Sequence, residues 1–154
     1  MHVLPVVDAV MALLKEKFSG LAVEYFPERP GEYRLNHPRG ALLVSYAGSR
    51  YGEPVDTGAV LQPQTVQLCV VVVFRQLNGR RGAIAMLDQL RRVLGGFMPP
   101  GCRRRIWLIR DVFIGEKDGL WQYALDIATE SVFVEERDLP SGPLLTEVNY
   151  EESE

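Results

Sequence analysis

The chain has little of what catalysis and covalent stapling require. It carries two cysteines, Cys69 and Cys102, and two histidines, His2 and His37. Two thiols do not make a disulfide framework. Cys69 lies in an apolar, strand-like run and reads as a buried, reduced thiol, which points to the cytosol. His2 stands near the start of the chain and His37 in a Pro-rich stretch, and neither has a Cys, His or acid at metal-ligand spacing. No serine sits in a G-x-S-x-G elbow. The run Gly79-Arg80-Arg81-Gly82 lacks the spacing and the Lys-Ser/Thr of a phosphate loop, so a strand-to-helix turn is its better reading. Asp126 and Glu130 share one strand face, but four residues of extended chain hold them roughly 13 Å apart, too far for a hydrolytic pair. No catalytic residue, metal site or cofactor is expected, and the chain reads as a non-enzyme.

Long hydrophobic runs are also missing. Valine-rich Leu68–Phe74 falls far short of the roughly 18–20 residues that a membrane span needs, so no membrane partner is expected. The segment Met1–Gly20 lacks the basic opening of a signal peptide, and Asp8, Lys15, Glu16 and Lys17 interrupt its apolar residues. Net charge is small: 17 basic against 20 acidic residues leaves −3, which by itself indicates neither a nucleic-acid nor a membrane partner.

What is present is enough for one ordinary core. At 154 residues and 47% hydrophobic, the chain fits a single α+β domain over 1–136, followed by an acidic tail, 137–154. Val7, Val10, Met11, Leu14 and Phe18 recur at helical spacing and predict a helix over 4–18. Leu21–Phe26 reads as a short strand. Residues 27–40, rich in Pro and Gly, read as a loop with an extended piece at Tyr33–Leu35. Ala41–Ala47 is a strand candidate. Residues 48–63 form a long connection, the tip of a β-hairpin arm. Gln64–Gln76 is the strongest strand. Its second face turns apolar halfway along, so it is central and covered on both sides, by the chain itself or by a neighbouring subunit. A second helix follows at Gly82–Leu94, then a hairpin of 104–114 and 120–134 across Gly115–Gly119. Trp107, Trp121 and Tyr123 read as core rather than as a stacking platform. The order predicts an antiparallel or mixed sheet of four to five strands with two helices on one face.

Charge is segregated along the sequence. Segment 75–110 has nine arginines against Asp88 alone, a net of +8, while 135–154 has seven acids against Arg137, a net of −6. Three readings compete: a solvated basic face with a frayed acidic tail, complementarity between copies of the chain, and nucleic-acid binding through the Arg-rich segment. Nucleic acid is the least favoured, because the whole chain is acidic and no binding motif occurs. Arg80 and Arg81 stand where a helix dipole is positive, which favours an external acidic partner. The candidate partner surface comprises Arg80, Arg81, Arg103, Arg104 and Arg105, with Tyr51, Glu53 and Asp56 on the arm.

The organisation also resembles a family. The opening helix Val6–Phe18, the segment PRGALLVSY at Pro38–Tyr46, the connection holding Gly52 and Gly58, and the strand Thr65–Phe74 carry the likeness. The helix Gly82–Leu94 and the hairpin Ile106–Val134 with Trp121-Gln122-Tyr123 complete it. Together these are similar to the tail terminators of Mu-like contractile phages and prophages. The resemblance implies a hexameric ring that caps the tail tube, stops its polymerisation and offers a surface to the head connector. It also implies assembly in the bacterial cytoplasm, residence in the virion tail, and partners that are further copies of the chain, the tube protein and the connector protein. A closed ring needs a heterologous interface, one patch meeting a different patch.

Overall fold

The computed structural model describes residues 2–55 and 58–136. Asp56 and the acidic tail, 137–154, lie outside the described residues. Helix α1 spans Val3–Lys17 and buries Val6, Val7, Val10, Met11 and Leu14 along one stripe. Lys15 and Lys17 stand in its last turn, where cations suit the dipole. Strand β1 is Ala22–Tyr25, β2 is Gly40–Tyr51 and β3 is Leu61–Phe74. Helix α2 is Ala83–Leu94, and strands β4, Arg104–Lys117, and β5, Leu120–Val134, close the described chain.

The five strands form one open sheet in the order β1-β2-β3-β5-β4. β1 runs parallel to β2, and every other pair is antiparallel. The fold class is therefore α+β with a mixed sheet, as the sequence predicts. β3 is central, and its period of two sorts the core. Val66, Leu68, Val70, Val72 and Phe74 face both helices together with Leu42, Val44, Leu125 and Ile127. On the opposite face Val71 and Val73 meet Ala41 and Leu43 beneath Tyr33, Leu35 and Leu120. The second cover of the two-sided strand is thus supplied by the chain itself. Arg75 fastens that cover, its Nε donating to His37 O at 3.0 Å and its Nη2 to Leu35 O at 3.1 Å. The close approach leaves no room at Gly40, where a Cβ would stand 2.4 Å from the Phe74 ring.

The structure departs from the sequence reading at three places. Tyr33–Leu35 forms no strand; a single 3-10 turn at Pro30–Glu32 precedes it. The arm is more regular than expected, because β2 continues to Tyr51 and β3 starts at Leu61. Pro63 lies inside β3, and its carbonyl accepts from Gly52 N–H at 2.8 Å. Only 52–60 is left as connection, and β5 runs alongside to Val134, which pairs with Leu61. Finally, β4 and β5 turn on two residues, Asp118 and Gly119, both at positive φ (56° and 79°). That is the Asp-Gly signature of a primed hairpin turn.

Candidate assembly surfaces

β4 is the outermost strand beyond β5, and among the described residues nothing pairs with its outer edge. Three register shifts interrupt its pairing with β5, at Arg104/Trp107, Leu108/Arg110 and Phe113/Gly115. Each bulge re-aims the residues beside it, and apolar side chains emerge on both faces. Leu108, Ile109, Val112, Phe113 and Ile114 are 38–53% exposed. Phe113 leans on Tyr123 and Trp121, ring centroids 5.2 and 6.3 Å away, yet half of it stays in solvent. An unpaired apolar edge of this kind is a hazard that a lone domain normally blunts. Here it sets five exposed apolar side chains within seven consecutive residues. The sequence predicts a hairpin strand over 104–114 but not this patch. The signal was there: the alternation of its partner β5 is clean, whereas β4 has none.

The Arg-rich segment is rearranged by folding. Glu130 Oε2 lies 2.7 Å from Arg103 and Oε1 lies 3.4 Å from Arg104. Arg104 also covers the Trp107 ring at 4.4 Å. Arg110 pairs with Asp126 at 2.9 Å, and Arg91 bridges Asp88 and Asp111. Carboxylates remote in sequence thus neutralise four arginines of the basic segment. Arg105 is turned away from this network, donating to Gly96 O at 3.1 Å. The three consecutive arginines are accordingly not equivalent surface contacts. Arg80 and Arg81 are exposed and make no ion pair among the described residues.

The turn that carries Arg80 and Arg81 is built from backbone. Gly82 caps α2 without a side-chain hydrogen bond. A Cβ there would meet the carbonyl oxygens of Leu77 and Asn78 at 2.4 and 2.5 Å. The first helical N–H groups are taken instead by Gln76 O and Leu77 O, at 2.8 and 3.3 Å. No acid occupies the first turn of α2. The strand-to-helix reading of Gly79–Gly82 holds.

On the arm, Tyr51 is exposed and meets Phe133 edge-on, centroids 6.3 Å apart. Glu53 is exposed beside it. Glu135 ties down the far side of the connection, its Oε1 accepting from Val60 N–H at 2.6 Å.

A hollow of about 530 Å³ opens between β2, β3, β5 and β4 and is lined by Ala47, Gln67, Cys69, Ile109, Arg110 and Asp126 among others. Burial pushes the Cys69 thiol up to about 12, and the Asp126 carboxylate beside it adds to the shift, with Arg110 opposing. A thiol so protonated is a poor nucleophile at neutral pH. Among the described residues no group of three or more His, Cys, Asp or Glu is placed to hold a metal. No described helix is long and apolar enough to cross a membrane.

A family model described as Gp37 protein matches residues 10–152. The chain belongs to the Gp37 family. No curated protein sequence matches this Gp37 chain. Its fold does have a solved counterpart, a chain from the virion of a native gene transfer agent particle. The two are 16% identical and superpose with a TM-score of 0.55 over 86% of the Gp37 chain and 96% of the other. At that identity the likeness is one of fold.

Proposed function

We propose that this Gp37-family protein is a structural component of a phage-like virion, and within it a ring-forming subunit of the tail. In this reading copies close into a ring, of six by the tail-terminator resemblance, that caps the finished tube, halts its polymerisation and presents a surface for head joining. The observation that carries the reading is β4, a fourteen-residue edge strand whose outer edge has no partner among the described residues and which shows five exposed apolar side chains. A shared fold with a chain of a gene transfer agent virion, over nearly all of that chain, supports it. β4 is then the patch that meets a different patch on the next copy, which is what ring closure requires. The arm at Tyr51 and Glu53 extends the sheet away from the helices and is suited to reach a neighbour or the tube.

Nucleic-acid binding through 75–110 loses support, because four of its nine arginines are already neutralised by carboxylates. The test is mass in solution by sedimentation, followed by electron microscopy of the chain mixed with tail tubes. A closed multimer seated on tube ends is expected. A strict monomer at high concentration that also ignores tube ends overturns the reading. Binding to duplex DNA with a steep salt slope would revive the nucleic-acid alternative.

A further inference from the structure

At the end of the sheet opposite the arm, a small polar cleft of about 180 Å³ is lined by Pro38, Arg39, Arg75, Gln76 and Arg81. Arg39 and Arg75 lie at the β2 and β3 ends, and Arg81 precedes α2. The pairing of Gly40 with Phe74 brings the first two side by side. The Arg39 guanidinium rests 5.5 Å from the Phe74 ring centroid, and its buried Nε has no hydrogen-bond partner among the described residues. Arg75 is oriented by the carbonyls of His37 and Leu35. His37 holds the cleft wall in place, Nδ1 accepting from Arg39 N–H and Gly40 N–H at 3.0 and 3.3 Å.

None of the three guanidiniums forms an ion pair among the described residues. Asp118 lines an adjoining hollow with Arg75 but makes no ion pair with it. Arg81, which lines the cleft, stands two residues before α2, whose first turn has no acid. Three arginines lining one cleft, with no counter-charge among the described residues, form a site for carboxylates, which arginine holds by charge-assisted hydrogen bonds.

We infer that this cleft binds the acidic segment 137–154 of a second copy of the chain. The inference rests on the self-association proposed above and names a contact within it. The acids of that segment are Asp138, Glu147, Glu151, Glu152 and Glu154, against Arg137 alone. The described chain leaves the sheet at Val134, which pairs with Leu61, the residue of β3 farthest from the cleft. β3 has fourteen residues, so the exit and the cleft stand roughly 40 Å apart. From Glu136 to Glu147 the chain reaches about 36–40 Å only when drawn nearly straight. Bringing Glu147 to the chain's own cleft requires that near-straight span, whereas a neighbour approaching head to tail presents the same acid without it. A basic cleft at one end of the sheet, and an acidic segment that follows a strand ending at the other, is heterologous complementarity, the kind that propagates from copy to copy.

The test uses a fluorescent peptide of residues 137–154 titrated into the full-length chain at low and high salt. Saturable binding that weakens with salt is expected, falling about tenfold or more in Arg81→Glu. Arg81 is exposed and makes no ion pair among the described residues, so this variant should fold; Arg81→Gln serves as a second, milder one. A peptide with its Glu residues replaced by Gln should not bind. Mixing an Arg81→Glu chain with a chain whose Glu147, Glu151, Glu152 and Glu154 are changed to Gln should restore the contact that each lacks alone. Absence of peptide binding, indifference to Arg81→Glu, failure of the mixture, or displacement of the peptide by inorganic phosphate or duplex DNA at lower concentration each overturns the inference. If rings still cap tubes while the peptide does not bind, this contact fails and the proposed function stands. If the peptide binds the cleft of a chain that neither closes nor caps, the contact stands and the proposed function fails.

Discussion

Glu130 keeps 16% of its side chain exposed, and two guanidiniums converge on it from the start of β4. The hydrogen bond from Arg103 holds its carboxyl below the usual range, with Arg104 contributing and burial opposing. A carboxyl lowered by folding adds stability above its unfolded value, and that stability is lost as pH falls through the folded value. Glu130→Gln is therefore expected to cost about 0.5–1 kcal/mol at neutral pH and less in acid as the folded-state carboxyl protonates, as read by urea unfolding at neutral and acid pH. Equal costs at the two pH values would assign the loss to packing. Cys69 follows the reverse sign. Its thiol is pushed up to about 12, so at pH 8 iodoacetamide should modify it roughly three orders of magnitude more slowly than a free cysteine. Asp126→Asn should speed that reaction, as measured by mass spectrometry. At this scale the sequence was a partial guide. It showed Asp126 and Glu130 on one strand face, but not that β4 would set an arginine over each, because that depends on bulges no residue pattern announces.

β4 separates stability from assembly more clearly than any other element. Val112 and Ile114 are 40% and 53% exposed, so Val112→Lys and Ile114→Lys should change monomer stability by no more than about 0.5 kcal/mol. The same changes should abolish self-association, because a charge in the middle of a desolvated interface goes unpaired. Sedimentation together with thermal unfolding checks both halves, and a variant that associates normally would remove β4 from the interface. Elements with a strict period were legible in advance: α1, α2 and β3 match their expected spans to within three residues at each end. What the periodicity left out were the strand limits set by pairing. β2 continues to Tyr51 and β3 begins before Pro63 because each supplies the other's hydrogen bonds, whatever their glycines and proline imply. The parallel pairing of β1 with β2 likewise follows from how α1 and the 27–39 segment pack, which no local signal encodes.

For the molecule as a whole, two surfaces of different physics imply two separable responses to salt. The β4 patch is apolar, and burying it is indifferent to ionic strength or slightly favoured by salting-out ions. The cleft of Arg39, Arg75 and Arg81 works through exposed charge, which is screened beyond about 8–10 Å at physiological salt. Association of the unmodified chain should therefore weaken as salt rises and then level off at a value set by β4. Arg81→Glu should remove the salt-sensitive part and leave the plateau. Val112→Lys should lower the plateau and leave the slope. β5 separates β4 from β3, so the two sites stand at least roughly 10 Å apart across the sheet. Their effects on the association free energy should then add to within about 0.5 kcal/mol in the double variant. Sedimentation equilibrium of the four chains across a salt series measures both slope and plateau. A single curve that each variant merely shifts bodily would mean one contiguous interface, and the division into an apolar edge and a basic cleft would have to be given up.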